Sequence, residues 1–193
     1  MTALPANTPT PMTVEQFIVW SLKHDVGRAE LYGGEPVLAQ AQTLRHSERK
    51  VRAFNHIEHE IAQARLPCRP MMEMLVPING MQSGFGFEPD LLVQCGEAPA
   101  PDTVIIPDPL IVIEIVSPSS GRIDTVLKTS WYFAVPSVQH YLIVEPKERV
   151  LVWHARRPEP EPIATRILRE GSFTLDPPGL RLDVAALVGA EAA

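Results

Sequence analysis

Apolar and polar positions alternate along this chain with two distinct periods. Thr13 and Gln16 bracket a capping box, in which a hydroxyl accepts an early helix N–H and a side-chain amide reaches back. Val14, Phe17, Ile18 and Leu22 follow as one helical stripe. Ala29–Tyr32 and Glu35–Leu38, separated by Gly33 and Gly34, predict a β-hairpin. A second helix is predicted over Leu44–Leu66, with Val51, Phe54, Ile57 and Ile61 as its apolar stripe. Strands are predicted over Arg69–Pro77, Phe85–Cys95 and Leu110–Val116, and the last is apolar enough to be a central strand buried on both faces. Ser117–Gly121 leads into a helix over Ile123–Ala134 that Pro136 stops. His140–Val144 and Val150–His154 complete the set, with Thr165–Arg169 as a candidate further strand and a surface loop over Arg156–Pro162. The order αββ-αβββ-αββ predicts a mixed α/β (α+β) fold on one central sheet. Without internal repeats, the expected layout is a flexible leader over 1–12, a single domain over 13–188 and a tail over 189–193.

Composition narrows the classes. The 193 residues are 45% hydrophobic and 21% charged, which fits a globular domain rather than a disordered or fibrous chain. The apolar run Val104–Val116 is broken by Pro107, Asp108, Pro109 and Glu114, so it cannot span a bilayer. No basic, apolar-cored secretory signal is visible, and the expected location is cytoplasmic. A net charge of −6 argues against non-specific coating of nucleic acid, although a local basic patch or a metal ion can outweigh it. The two cysteines, Cys68 and Cys95, make no disulfide framework and no C-x-x-C motif, so each is expected to pack as a reduced, small hydrophobe.

The residue that most demands explanation is Glu114, which has only aliphatic neighbours from Leu110 to Val116. A carboxylate there must find a cation, a metal or an arginine, or else become protonated. Asp90 begins a second apolar run after Pro89. If the two strands are neighbours, Asp90 and Glu114 converge as a hard-oxygen site suited to Mg²⁺ or Mn²⁺. Lys128 shares a helix face with Asp124 and can fold back beside them, to orient a water or stabilise charge developing on a phosphate. Each has a plainer alternative. Glu114 can be a paired structural carboxylate, Asp90 a strand-entry residue bonding local N–H groups, and Asp124–Lys128 an exposed ion pair.

The runs PDLLV (89–93) and IVIEIVSPSS (111–120), then Asp124, Lys128 and HYLIVEP (140–146), resemble the Uma-two family of restriction-endonuclease-like proteins, within the PD-(D/E)XK nuclease superfamily. AELYGGEPV (29–37) is similar to that family's early hairpin, and Arg45-His46-Ser47 to its early helix. The resemblance extends from about Thr13 to Leu187. It implies a restriction-endonuclease-like fold and a Mg²⁺-dependent phosphodiesterase site. Asp90 and Glu114 would be the motif carboxylates and Glu30 an additional metal-binding one. His46 and Asp124 would be accessory groups. The superfamily lysine two residues after the motif glutamate is absent, because Val116 stands there, and the resemblance implies Lys128 in its place.

Two functions follow as expectations. One is a Mg²⁺- or Mn²⁺-dependent endonuclease acting on DNA, with a homodimer as the assembly that cuts both strands. The other is a catalytically inactive module of the same fold that binds a protein or nucleic-acid partner, which the acidic charge and Val116 favour. Glu30 and His46 can equally be surface groups on a hairpin and a helix start. Arg45, Arg49, Lys50 and Arg52, with Glu48 among them, read as a solvated helix face, with a phosphate-contacting strip as the sharper alternative. His56 and His59 lack the further ligands that a zinc site needs; Trp20 and Trp131 suit helix faces packed on the core, and none of the three tryptophans reads as a base-stacking platform.

Overall fold

The computed structural model of the protein describes Thr8 and residues 11–116, 122–158 and 162–189, with the backbone alone for 122–126. Most of the expected leader, the SPSSG segment over 117–121 and the centre of the 156–162 loop therefore lie outside the described residues.

Helix α1 (Val14–His24) starts at Thr13, whose hydroxyl accepts the Gln16 N–H while the Gln16 side chain accepts the Thr13 N–H. It buries Val14, Phe17 and Trp20; Leu22, expected in the stripe, is exposed, because the helix packs by one narrow side. Strands β1 (Ala29–Tyr32) and β2 (Glu35–Leu38) form the expected hairpin. Its two-residue turn needs positive φ at both Gly33 and Gly34, and a Cβ on Gly34 would meet Pro11 and Met12 at 2.5–2.8 Å. Met12 is buried there and donates its N–H to the Gly34 carbonyl.

Helix α2 (Leu44–Gln63) is N-capped by Thr43. Its buried face is His46, Lys50, Ala53, Ile57 and Ile61, while Val51 is half exposed. The stripe is thus rotated from the expected one, because the acidic partners of His46 and Lys50, buried Asp90 and half-buried Glu73, make their burial favourable.

The two apolar stretches expected as single strands are each split between sheets. The first gives β3 (Cys68–Met72) and β4 (Val76–Pro77), the second β5 (Gly86–Phe87) and β6 (Leu91–Cys95). The breaks fall at Glu73, held at a φ of 55°, and at Glu88-Pro89, where proline has no N–H for a ladder. Cys68 and Cys95 lie directly opposite each other on β3 and β6 and are joined by a disulfide, not left as reduced thiols. That pairing depends on strand register, which cysteine spacing does not reveal.

Strand β7 (Ile111–Ile115) is followed by α3 (Arg122–Ala134) and by β8 (His140–Glu145), which runs parallel to β7. β9 (Val150–Arg156) and β10 (Ile163–Leu168) add antiparallel strands. The central sheet has the order β10-β9-β8-β7-β6-β3, so β7 lies inside it, as its apolar composition requires. A second sheet has the order β2-β1-β5-β4. A ribbon of β11 (Ser172–Leu175) and β12 (Leu180–Asp183), then α4 (Val184–Val188), is too short to have shown a period in the sequence. Ile111, Ile113 and Ile115 face the core that includes α2, and Val112 faces the core formed with Tyr132 and Tyr141.

The C-terminal end of α3 is held by Arg156 from β9. Its guanidinium donates to the carbonyls of Phe133, Val135 and Val138 at 2.8–3.0 Å and lies 5.3 Å from the centre of the Phe133 ring. This satisfies carbonyls left without partners at a helix end. Arg156→Ala is expected to lower the unfolding free energy by about 2 kcal/mol in urea titrations, since charge-assisted hydrogen bonds are the ones removed. Arg156→Lys should restore only part of it, because one ammonium cannot span three carbonyls.

Candidate active site

Strands β6 and β7 are antiparallel neighbours with Leu91 opposite Ile113, and that register brings Asp90 opposite Glu114 at the end of the ladder. Asp90 is 6% exposed. One of its oxygens accepts the Ile115 N–H at 2.9 Å; the other lies 3.1 Å from His46 Nε2 and 3.9 Å from Lys50 Nζ. Burial opposes the ionisation of Asp90. The His46 contact, the Ile115 N–H and Lys50 together outweigh it and hold the carboxyl below its usual range.

Glu114 has the opposite balance. Its Oε1 accepts from Tyr132 Oη at 3.0 Å and from Lys128 Nζ at 3.3 Å. Burial nevertheless pushes its pKa up to about 7; Lys128 opposes this, while the negative charges of Asp90 and Glu30 add to it. The same burial, with Glu114 beside it, holds the Tyr132 hydroxyl far above its usual value, so it serves as a donor.

Lys128, 7% exposed, also donates to Glu30 Oε1 at 2.9 Å, and its ammonium lies 5.5 Å from the centre of the Phe87 ring. Glu30 is held by the Glu88 N–H at 3.1 Å and the Tyr32 hydroxyl at 2.8 Å. The β1 hairpin, β7 and α3 therefore each supply one member of a Glu30–Lys128–Glu114 chain.

A second chain runs through Lys50, which is buried rather than part of a solvated face and pairs with Glu73. Glu73 also meets Arg28 at 3.2 Å, and Arg28 lies 3.5 Å from Glu88. Burial pushes Glu88 up to about 7 against the pull of Arg28. Lys50, Glu73, Glu88, Arg28 and Tyr132 were not singled out from the sequence as site residues. Two signals were available. Lys50 lies one helical turn beyond His46, and Glu73 sits in the apolar run Met71–Leu75 much as Glu114 sits in its own.

The structure thus brings together Asp90, Glu114, Lys128, Glu30 and His46. Asp124 lies on α3, but its side chain is outside the described residues. Among the described residues, no three acidic, histidine or cysteine side chains are gathered as a ready-made metal ligand set. The Asp90 and Glu114 carboxylate oxygens are instead held by His46 and Lys128.

A family model, Uma2, described as "Putative restriction endonuclease", matches residues 14–188. No curated protein matches the chain significantly. Among solved structures, a "putative nuclease belonging to DUF820" from Anabaena variabilis superposes with a TM-score of 0.68 at 15% identity, over 92% of this chain and 98% of that one. The central mixed sheet with its flanking helices is therefore a fold shared with that protein.

The raised carboxyls make a stability prediction. A group that titrates near 4.5 when unfolded and near 7 when folded binds its proton more tightly in the fold. Stability then falls as pH rises from about 4.5 through 7. Glu114→Gln imitates the protonated form, so in urea titrations with EDTA it should be up to about 3 kcal/mol more stable than wild type at pH 8. The difference should vanish by pH 4.5.

Proposed function

Because the chain belongs to the Uma2 family, we propose that it is a Mg²⁺- or Mn²⁺-dependent endonuclease that hydrolyses phosphodiester bonds in DNA in the cytoplasm. The observation that carries this reading is the placement of Asp90 opposite Glu114 with the Lys128 ammonium 3.3 Å from the glutamate.

The donor chemistry fits a hard divalent cation. Asp90 and Glu114 offer carboxylate oxygens from adjacent strands, and the surrounding acids outnumber their cations: Glu30, Glu73, Glu88, Asp90 and Glu114 share Arg28, Lys50 and Lys128. Asp90 and Glu114 would hold the ion. When bound, it supplies Lewis-acid polarisation of a phosphoryl oxygen and a more acidic water. Lys128 orients the attacking water and stabilises the negative charge that grows on the phosphorus-bound oxygens, in a site dry enough for that charge to matter. Glu30 aims the ammonium through its 2.9 Å contact. His46 and Lys50 hold Asp90 ionised, and the Ile115 N–H fixes its orientation. Cutting both strands of a duplex takes two such sites, which a homodimer supplies.

A second reading, a catalytically inactive module of the same fold, is favoured by Val116 at the superfamily lysine position and by the double pairing of Lys128 with Glu30 and Glu114. Plasmid and single-strand cleavage in Mg²⁺ or Mn²⁺ separates the two. Wild type should cut, Asp90→Ala and Glu114→Ala should not, and Lys128→Ala should be slower by roughly 10²- to 10³-fold. Cleavage retained in Glu114→Ala would sink the assignment. Metal-independent inertness of all four proteins would favour the binding module.

A further inference from the structure

Helix α2 carries its charges against its own dipole. The N-terminal end of a helix favours acids and the C-terminal end favours bases. Here the first turn holds no acid and the last turn no base. Arg45, Arg49, Lys50 and Arg52 outnumber the single acid Glu48 in the first half instead, while Glu58 and Glu60 stand near the end. Lys50 is accounted for by Asp90 and Glu73. The arginines have no acidic partner among the described residues, although Arg52 lies beside Gly189 at the end of α4.

Their spacing of four and three places all three on one face of the helix. Arg45 and Arg52 are exposed and Arg49 is partly so. The adjoining face carries His46 and Lys50 to Asp90, so Arg45 and Arg49 each directly precede a residue that reaches the candidate site. In a chain of net charge −6, this is a local row of cations placed where it destabilises its own helix. A row of guanidinium groups along one helix face matches the charge of a phosphate backbone.

We propose that the Arg45–Arg49–Arg52 face of α2 is the track on which the sugar–phosphate backbone of a nucleic acid lies when a phosphodiester enters the Asp90–Glu114 site. This rests on the nuclease reading. The contacts are to backbone and carry no base sequence, so the track sets affinity and register rather than specificity.

The test is fluorescence anisotropy of a labelled DNA duplex, titrated in EDTA at several salt concentrations. Each phosphate contact adds about 0.9 to the slope of log K against log salt. The triple variant R45A/R49A/R52A should therefore lose roughly 2–3 units of slope. R45K/R49K/R52K, which keeps the charges, should stay near wild type. K23A/K147A/R181A removes as much charge from exposed positions elsewhere and should also bind like wild type. The alanine variant should melt no lower than wild type, because the removed charges oppose the dipole. An unchanged slope in the alanine variant, or an equal loss in the K23A/K147A/R181A control, would overturn the track and leave the nuclease reading standing. Wild type that cleaves with metal but shows no salt-dependent binding would do the same. If wild type neither binds nor cleaves DNA, both readings fall together.

Discussion

Everything around the candidate site depends on accommodating carboxylates where water is scarce. Moving an unpaired carboxylate into a protein interior costs several kcal/mol, and only close cations and well-aimed N–H groups offset it. Asp90 meets that condition through His46, Lys50 and the Ile115 N–H. Glu114 meets it only in part, through Lys128 and Tyr132. Because the partners come from α2, α3, β7 and the β1 hairpin, the separate sheets must dock at the one place where these side chains can pair. Arg156 matters for the same reason, since the helix it anchors carries both Lys128 and Tyr132.

The result is a site that is stable but not relaxed. Burial holds the protons of Glu88 and Glu114 up to about pH 7, and the neighbouring acids add to it against the pull of Arg28 and Lys128. The first half of α2 adds charges that oppose its dipole. A fold selected for stability alone would have fewer carboxylates at the strand ends and acids at the start of α2. The two departures lie side by side, with opposite signs. An excess of negative charge suits a metal cation and an excess of positive charge suits a phosphate backbone, and a nuclease needs both. Such departures concentrate where stability has been exchanged for activity.

Much of this was legible from the chain because a charged residue in an apolar run is conspicuous. Glu114 within Leu110–Val116 and Asp90 at the head of Leu91–Val93 needed only the β6–β7 register to meet. The hairpin was readable from its glycine pair, and α3 from its stop at Pro136. What escaped was whatever depended on tertiary partners. Lys50 looks like its solvated neighbours until Glu73 and Asp90 are placed beside it. Val51 looks like core until α2 rotates to bury His46 and Lys50 instead. The Cys68–Cys95 bridge joins strands whose pairing no spacing rule predicts, and the changes of sheet at Glu73 and Pro89 interrupt runs that read as continuous strands.

The central claim is that the paired carboxylates of Asp90 and Glu114 form a divalent-cation site. Electron paramagnetic resonance of Mn²⁺ titrated into wild type, Asp90→Asn and Glu114→Gln tests it without any need for a substrate. The account predicts one saturable Mn²⁺ site per chain in wild type, competed by Mg²⁺ and lost or strongly weakened in each variant. Mn²⁺ binding that is absent in wild type, or equal in all three proteins, would contradict it.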